Sequence, residues 1–198
     1  QFFHVSESAV LTLSNLILNA SNVESAQDSV PLIVDSSTLI LENLKIQGFY
    51  TSASGGALST NNSTISIIDS IFQNNRSAAD GGAIYSTGSN VSIDRSLFIE
   101  NHTSNIYPGI KSGGAIAFDA ETTDNVLKIT NSEFRWNHSY GLGGAIDHSG
   151  PSSSVTITDN LFLSNQTTSP YSQATSSRIA GGAISLDGLS PADLSRNN

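Results

Sequence analysis

Three aspartates that follow glycine pairs are the best candidates for catalytic residues, judged by residue type and spacing. Asp119, Asp147 and Asp187 lie four to six residues after the first glycine of a Gly-Gly pair, and His148 adjoins Asp147. Enzymes that cleave polysaccharides use paired carboxylates as acid and base, or acid clusters that hold Ca²⁺. The alternative, which we favour, is that these acids begin turns after a glycine-containing strand.

Three other aspartates recur with the internal sequence repeat of the chain. Asp69, Asp94 and Asp159 are predicted to occupy corresponding positions in three repeats. Catalysis needs groups with different protonation roles in one place, whereas a structural bond is made again in every repeat. The recurrence indicates a shared turn bond, and we predict no catalytic residue, no cofactor and no metal site.

Two histidines and three aromatic residues are candidates for binding. His102 and His138 each follow the asparagine of one motif, so they form either a surface zinc pair or exposed loop histidines, and we favour the latter. Trp136, Tyr140 and Tyr107 form either a patch that binds sugar or protein or a cover over the core at a loop corner.

The chain also contains eight Asn-x-Ser/Thr sequons, at Asn19, Asn61, Asn62, Asn75, Asn90, Asn101, Asn137 and Asn165. A buried amide that bonds neighbouring repeats cannot also carry a glycan. We predict a buried amide ladder at the four positions that share a Phe-x-x-Asn motif: Asn75, Asn101, Asn137 and Asn165. We predict N-glycans at Asn19, Asn62 and Asn90 if the host is eukaryotic.

Composition narrows the class of protein that could position these residues. Eight basic and 17 acidic residues give a net charge of −9, which argues against nucleic acid as a partner. No apolar run is long enough to span a bilayer. Cysteine and methionine are absent, which excludes thiol chemistry, and we interpret the chain as a segment of a larger exported protein.

Two short motifs alternate along the chain. Gly-Gly-Ala followed by Leu or Ile begins at Gly55, Gly81, Gly113, Gly143 and Gly181. Phe-x-x-Asn begins at Phe72, Phe98, Phe134 and Phe162. Strict alternation of two motifs identifies an internal repeat.

A third element sets the length of the repeat. Its first apolar position recurs at Leu13, Leu41, Ile67, Ile93, Ile129 and Ile157, with spacings of 28, 26, 26, 36 and 28 residues. Each repeat contains short runs of alternating apolar residues separated by Asn, Asp, Gly and Ser, which is typical of strands and turns.

These features predict an all-β fold, a right-handed parallel β-helix of about six coils. We expect one β-helix over residues 1–198, with degenerate coils in 1–54, the motif repeats in 55–184 and the end of the segment in 185–198. Insertions at 104–112 and 167–180 are expected to be loops at one corner. Phe72, Phe98, Phe134 and Phe162 are expected to stack as an aromatic ladder.

The alternation of Gly-Gly-Ala-[Ile/Leu] with Phe-x-x-Asn resembles the repeats of the chlamydial polymorphic membrane proteins. The resemblance covers about residues 55–184. It implies a β-helical autotransporter passenger that is displayed at the cell surface and used in adhesion. The absence of cysteine departs from the bacterial pattern.

We therefore predict a non-catalytic scaffold or adhesion module at the cell surface. Its expected partners are surface proteins or glycans of a cell, or other copies of itself if the chain builds a surface fibre. The alternative is a carbohydrate-active β-helix enzyme.

Overall fold

The computed structural model describes residues 2–20, 30–104, 111–151, 153–168, 182–187 and 192–198. These residues form 27 short strands and no helix, and the strands stack in parallel as a β-helix. Five coils contain all four strands of a turn, and partial coils lie at both ends. The predicted fold class is confirmed, with about five full turns where the register had indicated about six.

The strands follow one another coil by coil. The partial N-terminal coil and the first two full coils contain β1 (Phe3–Val5), β2 (Val10–Ser14), β3 (Ile17–Asn19), β4 (Leu32–Asp35), β5 (Thr38–Glu42), β6 (Lys45–Gln47), β7 (Tyr50–Thr51), β8 (Leu58–Asn61), β9 (Thr64–Ile68), β10 (Ile71–Gln73) and β11 (Arg76–Ser77). The next two contain β12 (Ile84–Thr87), β13 (Asn90–Asp94), β14 (Leu97–Ile99), β15 (His102–Thr103), β16 (Lys111–Ser112), β17 (Ile116–Asp119), β18 (Val126–Thr130), β19 (Glu133–Arg135), β20 (His138–Ser139) and β21 (Gly141–Leu142). The last coils contain β22 (Ile146–Ser149), β23 (Ser154–Thr158), β24 (Leu161–Leu163), β25 (Gln166–Thr167), β26 (Ile184–Leu186) and β27 (Ala192–Asp193).

Equivalent strands of successive coils form four long sheets. Sheet 1 has the order β1-β4-β8-β12-β17-β22-β26, and sheet 2 has the order β2-β5-β9-β13-β18-β23-β27. Sheet 3 has the order β3-β6-β10-β14-β19-β24, and sheet 4 has the order β7-β11-β15-β20-β25. Strands β16 and β21 pair separately, next to the insertion that precedes β17. Most of the predicted insertions, with Gly181, lie outside the described residues.

The predicted register is confirmed residue by residue in sheet 2. Each of the six apolar register residues has the next one as its partner in the neighbouring strand, from Leu13 and Leu41 to Ile129 and Ile157. All six are buried. Side chains alternate between the two faces of a strand, so a shift of one residue would turn this apolar row towards solvent.

The inward face of sheet 3 contains a stack of aromatic rings. The centroids of Phe72 and Phe98 lie 4.9 Å apart, those of Phe98 and Phe134 4.9 Å, and those of Phe134 and Phe162 5.0 Å. The planes of neighbouring rings are within 9° of parallel. Because parallel strands repeat about every 4.8 Å, identical side chains in register are held at stacking distance.

The glycine pairs form the corner between sheet 4 and sheet 1. The two positions of a pair require glycine for different physical reasons. The first adopts a left-handed conformation, with φ +65° at Gly81. The second lies against the neighbouring coil, since a Cβ on Gly82 would come within 2.0 Å of the carbonyl oxygen of Gly114. A side chain at either position would disrupt the coil stacking.

The aromatic stack gives the first testable prediction. Phe98→Ala should lower the free energy of unfolding by about 3–5 kcal/mol, because it removes a fully buried ring and leaves a cavity between two others. Ile99→Ala is the matched control, since Ile99 belongs to the same strand but points outward and is partly exposed. Urea unfolding followed by circular dichroism measures both. Equal, small losses in the two variants would mean that the ring is not in the core.

Candidate functional site

Three of the four corners share the same backbone conformation. The corner residue has a positive φ, and the next residue is turned inward, where its backbone N–H needs an acceptor. At the corner between sheets 3 and 4, the left-handed residues are Gly48, Asn74, Glu100, Trp136 and Ser164. The residues that follow the last four of them are the motif asparagines.

The motif asparagines supply those acceptors from coil to coil. The Oδ1 of Asn101 accepts bonds from the backbone N–H and the side-chain amide of Asn75, both at 3.1 Å. The side-chain amide of Asn101 donates to the carbonyl oxygen of Phe72 at 2.8 Å. Asn137 repeats this pattern with Asn101 and Phe98. Each amide thus joins neighbouring coils.

Burial separates these sequons from the others. Asn75, Asn101 and Asn137 are 0% exposed, and Asn165 is partly buried in the last full coil. Because the side-chain nitrogens that would carry a glycan already donate hydrogen bonds, a modified chain could not close this ladder.

The corner between sheets 2 and 3 uses serine for the same purpose. The hydroxyl oxygen of Ser96 accepts from the backbone N–H of Ser70 at 3.1 Å, and that of Ser132 accepts from Ser96 at 3.0 Å. Asn160 continues the series by accepting from Ser132 at 2.8 Å. Each member of this series directly follows a left-handed corner residue. The series is Ser70, Ser96, Ser132 and Asn160, and the corner residues are Asp69, Arg95, Asn131 and Asp159.

The acids at this corner are paired with arginines. Arg95 makes two hydrogen bonds to Asp69, at 2.8 and 2.9 Å, and Arg196 makes two to Asp159, at 2.6 and 2.7 Å. The hydrogen bonds from Arg95 hold the pKa of the Asp69 carboxyl below its usual value.

The register corrects the prediction for Asp94, which was placed in line with Asp69 and Asp159. Asp94 pairs with Ile68 and Thr130, one position earlier, because Arg95 occupies the corner in its coil. Its carboxylate accepts bonds from Asn131 and Thr130, each at 2.8 Å, and these bonds and Arg95 lower its pKa.

The three predicted glycan acceptors are exposed. Asn62 occupies a left-handed corner between sheets 1 and 2, with φ 48°. Asn90 begins β13, and its Oδ1 accepts a bond from the backbone N–H of Val126 at 2.9 Å. Asn19 ends β3. Their exposure is compatible with modification by an enzyme, and the glycosylation of Asn19, Asn62 and Asn90 stays a prediction.

The structure brings together two of the three aspartates that resembled catalytic acids. Asp119 and Asp147 line a cavity of about 230 Å³ on the outward face of sheet 1, together with Asp80 and Tyr85. Asp187 is not among its lining residues. The floor is Ala117, which has Tyr85 and Asp147 as its register partners on either side. The cavity exists because the small side chain of Ala117 lies between the two larger side chains of Tyr85 and Asp147.

Hydrogen bonds fix the walls of this acidic cavity. The backbone N–H of Ser112 donates to Asp80 at 2.8 Å, and the hydroxyl of Ser149 donates to Asp119 at 3.2 Å. Burial raises the pKa of the Tyr85 hydroxyl, and the carboxylates of Asp119 and Asp80 raise it further. Sequence inspection missed Asp80, Tyr85, Ser112 and Ser149, which meet only when coils of unequal length are stacked.

His148 has a structural place, although it adjoins Asp147. Its ring is buried and stacks on Phe118 at 5.5 Å, on the inward face of sheet 1. Its Nε2 lies 2.6 Å from the hydroxyl of Ser153, and its Nδ1 lies 3.1 Å from the carbonyl oxygen of Asp187. Burial lowers its pKa. Alternation along the strand directs Asp147 outward and His148 inward, so the two do not form a catalytic pair.

The other histidines and aromatic residues lie around sheet 4. His102 and His138 are direct register partners on β15 and β20. No group of three His, Asp or Glu side chains among the described residues is arranged to hold a metal ion. Trp136 is 50% exposed at its corner, and Tyr140 meets the His138 ring edge-on at 4.7 Å. Tyr107 lies outside the described residues.

Residues 69–87 match the family model of the Chlamydia polymorphic membrane protein repeat. The matched segment runs from the corner at Asp69 through Phe72, Asn75 and the glycine pair at Gly81 to the end of β12. It therefore contains one copy of each motif, and the predicted resemblance is confirmed there. Neither the curated proteins nor the solved structures compared with the chain gave a match.

The polymorphic membrane proteins are surface proteins of the chlamydial outer membrane. Among the described residues, no helix is long and apolar enough to cross a membrane.

The asparagine ladder yields a stability prediction. Asn101→Ala should cost about 2–4 kcal/mol, because it leaves buried donors of Asn75 and the carbonyl of Phe72 without their partner. Asn74→Gly is the matched control. Asn74 is exposed and left-handed, and Gly48 occupies its position one coil earlier. If urea unfolding gave the same midpoint for both variants and the parent, the ladder would not be a stabilising feature.

The sequons yield a second prediction. When the chain is made in a eukaryotic secretory pathway, glycopeptide mapping by mass spectrometry should find glycans at Asn19, Asn62 and Asn90 in the folded protein. It should find none at Asn101 or Asn137, because their amides are buried. Asn62→Gln should remove one glycan mass and leave the others. A folded fraction with glycosylated Asn101 would contradict the ladder as described.

Proposed function

We propose that this chain is a non-catalytic scaffold and adhesion module at the cell surface, exported as part of a larger protein. The observation that carries the proposal is the repetition of the same corner bonds in successive coils. Such a column gains its stability from hydrogen bonds between neighbouring coils, without disulfides. Support also comes from the match to a repeat of surface proteins.

The outward surfaces suit a role in binding. Because the core and corners are filled by inward-facing residues, outward positions of every strand can vary without loss of the fold. Trp136 is half exposed in a left-handed conformation that bulky residues rarely adopt. Its exposure and strain are not explained by folding, and exposed tryptophans are frequent anchors of protein interfaces.

The acidic cavity supports a second candidate, a carbohydrate-active site. Its carboxylates, hydroxyl groups and Tyr85 can all hydrogen-bond to the hydroxyls of a sugar. A retaining or inverting glycosidase needs a protonated and an ionised carboxyl group on opposite sides of the scissile bond. In the cavity, Asp119 accepts a hydrogen bond from the hydroxyl of Ser149, so this contact places Asp119 as an acceptor and not as a donor.

Adhesion is tested by binding of the folded protein to cells. Beads that carry the native chain should bind cells saturably, and soluble native chain should compete. Heat-unfolded chain and Trp136→Ser, which places at this corner the residue found in the next coil, are the controls. We expect Trp136→Ser to reduce binding at least threefold without lowering stability. Equal binding by native and unfolded chain would contradict the proposal.

Catalysis is tested separately. Incubation with acidic and neutral polysaccharides, with and without Ca²⁺, should produce no new reducing ends and no unsaturated products. Turnover that disappears in Asp119→Asn or Asp147→Asn would overturn the non-catalytic assignment in favour of the second candidate.

A further inference from the structure

Three basic side chains stand in one column on the outward face of sheet 4. Arg76 pairs in register with His102, and His102 pairs with His138. Register partners on neighbouring parallel strands are separated by about 4.8 Å. Each member of the column therefore faces the next at the distance of a direct contact, and the column links three successive coils.

The column contains one permanent charge, the guanidinium of Arg76, which is held in place by Tyr50 and Ser104. The Arg76 guanidinium lies 5.5 Å from the Tyr50 ring centroid, and its terminal nitrogen donates to Ser104 at 2.7 Å. Among the described residues, no carboxylate forms an ion pair with Arg76, His102 or His138. The carboxylate of Glu100 acts on His102 and raises its pKa, but by less than burial lowers it.

Burial favours the neutral forms of the two histidines, and at His102 one hydrogen bond opposes it. His102 Nδ1 lies 3.3 Å from the Glu100 carbonyl oxygen, and His138 Nε2 lies 2.8 Å from the hydroxyl of Thr168. Burial lowers the pKa of His102, the hydrogen bond to the Glu100 carbonyl oxygen partly offsets this, and Arg76 and His138 lower the pKa further. Burial also lowers the pKa of His138. Two further neighbours of His138 in the described part of the chain are neutral: Tyr140 at its edge and Gln166 in the next coil.

We propose that the Arg76–His102–His138 column is an acid-sensitive seam that loosens sheet 4 when the two histidines become protonated. Protonation turns one charge into three like charges on neighbouring strands, and among the described residues no carboxylate forms an ion pair with them. Repulsion between charges at such distances near a protein surface amounts to a few kcal/mol. The seam adjoins the glycine corner, where a Cβ on Gly82 or Gly114 would lie 2.6 Å from the backbone nitrogen of His102 or His138.

The direction of the effect follows from linkage. A histidine with a lowered pKa in the folded state binds its proton more readily when unfolded. The stability is therefore complete above the unfolded pKa of about 6.5 and is lost as the pH falls through the folded pKa. The paired aspartates, whose pKa values are also lowered, weaken the fold only in a more acidic range, below about pH 4.

The position of Gln166 provides the variant that tests the seam. Gln166 occupies the equivalent place in the next coil, so His102→Gln/His138→Gln keeps the side-chain size and the register while it removes both titrating groups. His4→Gln is the matched control, because His4 is exposed and contacts Asp35 in the first coil.

The measurements are urea unfolding at pH 7.5 and pH 5.0, and hydrogen exchange of the backbone amides of residues 102–104 and 138–139. In the native protein and in His4→Gln, the unfolding equilibrium constant should rise about tenfold on acidification, which corresponds to about 1.4 kcal/mol. Protection of the sheet 4 amides should fall more than that of sheet 2. Arg76→Gln should show a smaller rise than the native protein.

The double variant decides the outcome. We expect its unfolding equilibrium constant to rise at least threefold less than that of the native protein between the two pH values, and the remaining rise comes from the buried His148, whose pKa is also lowered. An undiminished pH dependence in the double variant would overturn the proposal and assign the effect to His148 or the carboxylates. Loss of protection spread evenly over all four sheets would also overturn it, because the seam predicts local loosening.

Discussion

The structure depends on the hydrogen bonding of the inward-turned backbone N–H at three of the four corners. A left-handed residue turns the chain, and the next N–H then points into the stack of coils, away from water. A buried donor without an acceptor costs about 1–3 kcal/mol. The side chain of the equivalent residue one coil further on supplies the acceptor, as Asn101 does for Asn75 and Ser96 does for Ser70. Each coil is therefore completed only by its neighbour.

This requirement explains which parts of the repeat are constant and which vary. The bonded residue must be small, polar and correctly placed, so Asn and Ser recur at the corners. The residue before it only needs a positive φ, and it varies among Asn, Asp, Arg, Glu, Ser, Gly and even Trp. The fourth corner has no side chain to supply an acceptor. There the coils approach so closely that backbone atoms meet, and Gly82 faces the carbonyl of Gly114.

Sequence reasoning reached the inward residues more readily than the outward ones. The apolar register from Leu13 to Ile157 and the phenylalanine spacing follow directly from the period, because identical residues recur where the environment recurs. The displaced Asp94 shows the limit, since the corner position in its coil is held by Arg95, which shares no chemistry with Asp69 or Asn131. The lining of the acidic cavity could not be predicted from the sequence, because Asp80 and Asp147 come together only after coils of different length are stacked.

The same contrast indicates where this protein can acquire function. Inward positions are constrained by neighbours above and below, so a change there must be repeated or compensated in adjacent coils. Outward positions carry no such constraint, and departures from the repeat collect there: Ala117 between Tyr85 and Asp147, Trp136 at its corner, and the two histidines beside Arg76. Each departure differs from the next in chemistry, as expected if selection acts on contacts with partners or surroundings. A regular core thus permits an irregular surface, because the repeated Asn and Ser bonds that join the coils at the corners are made by inward-facing residues.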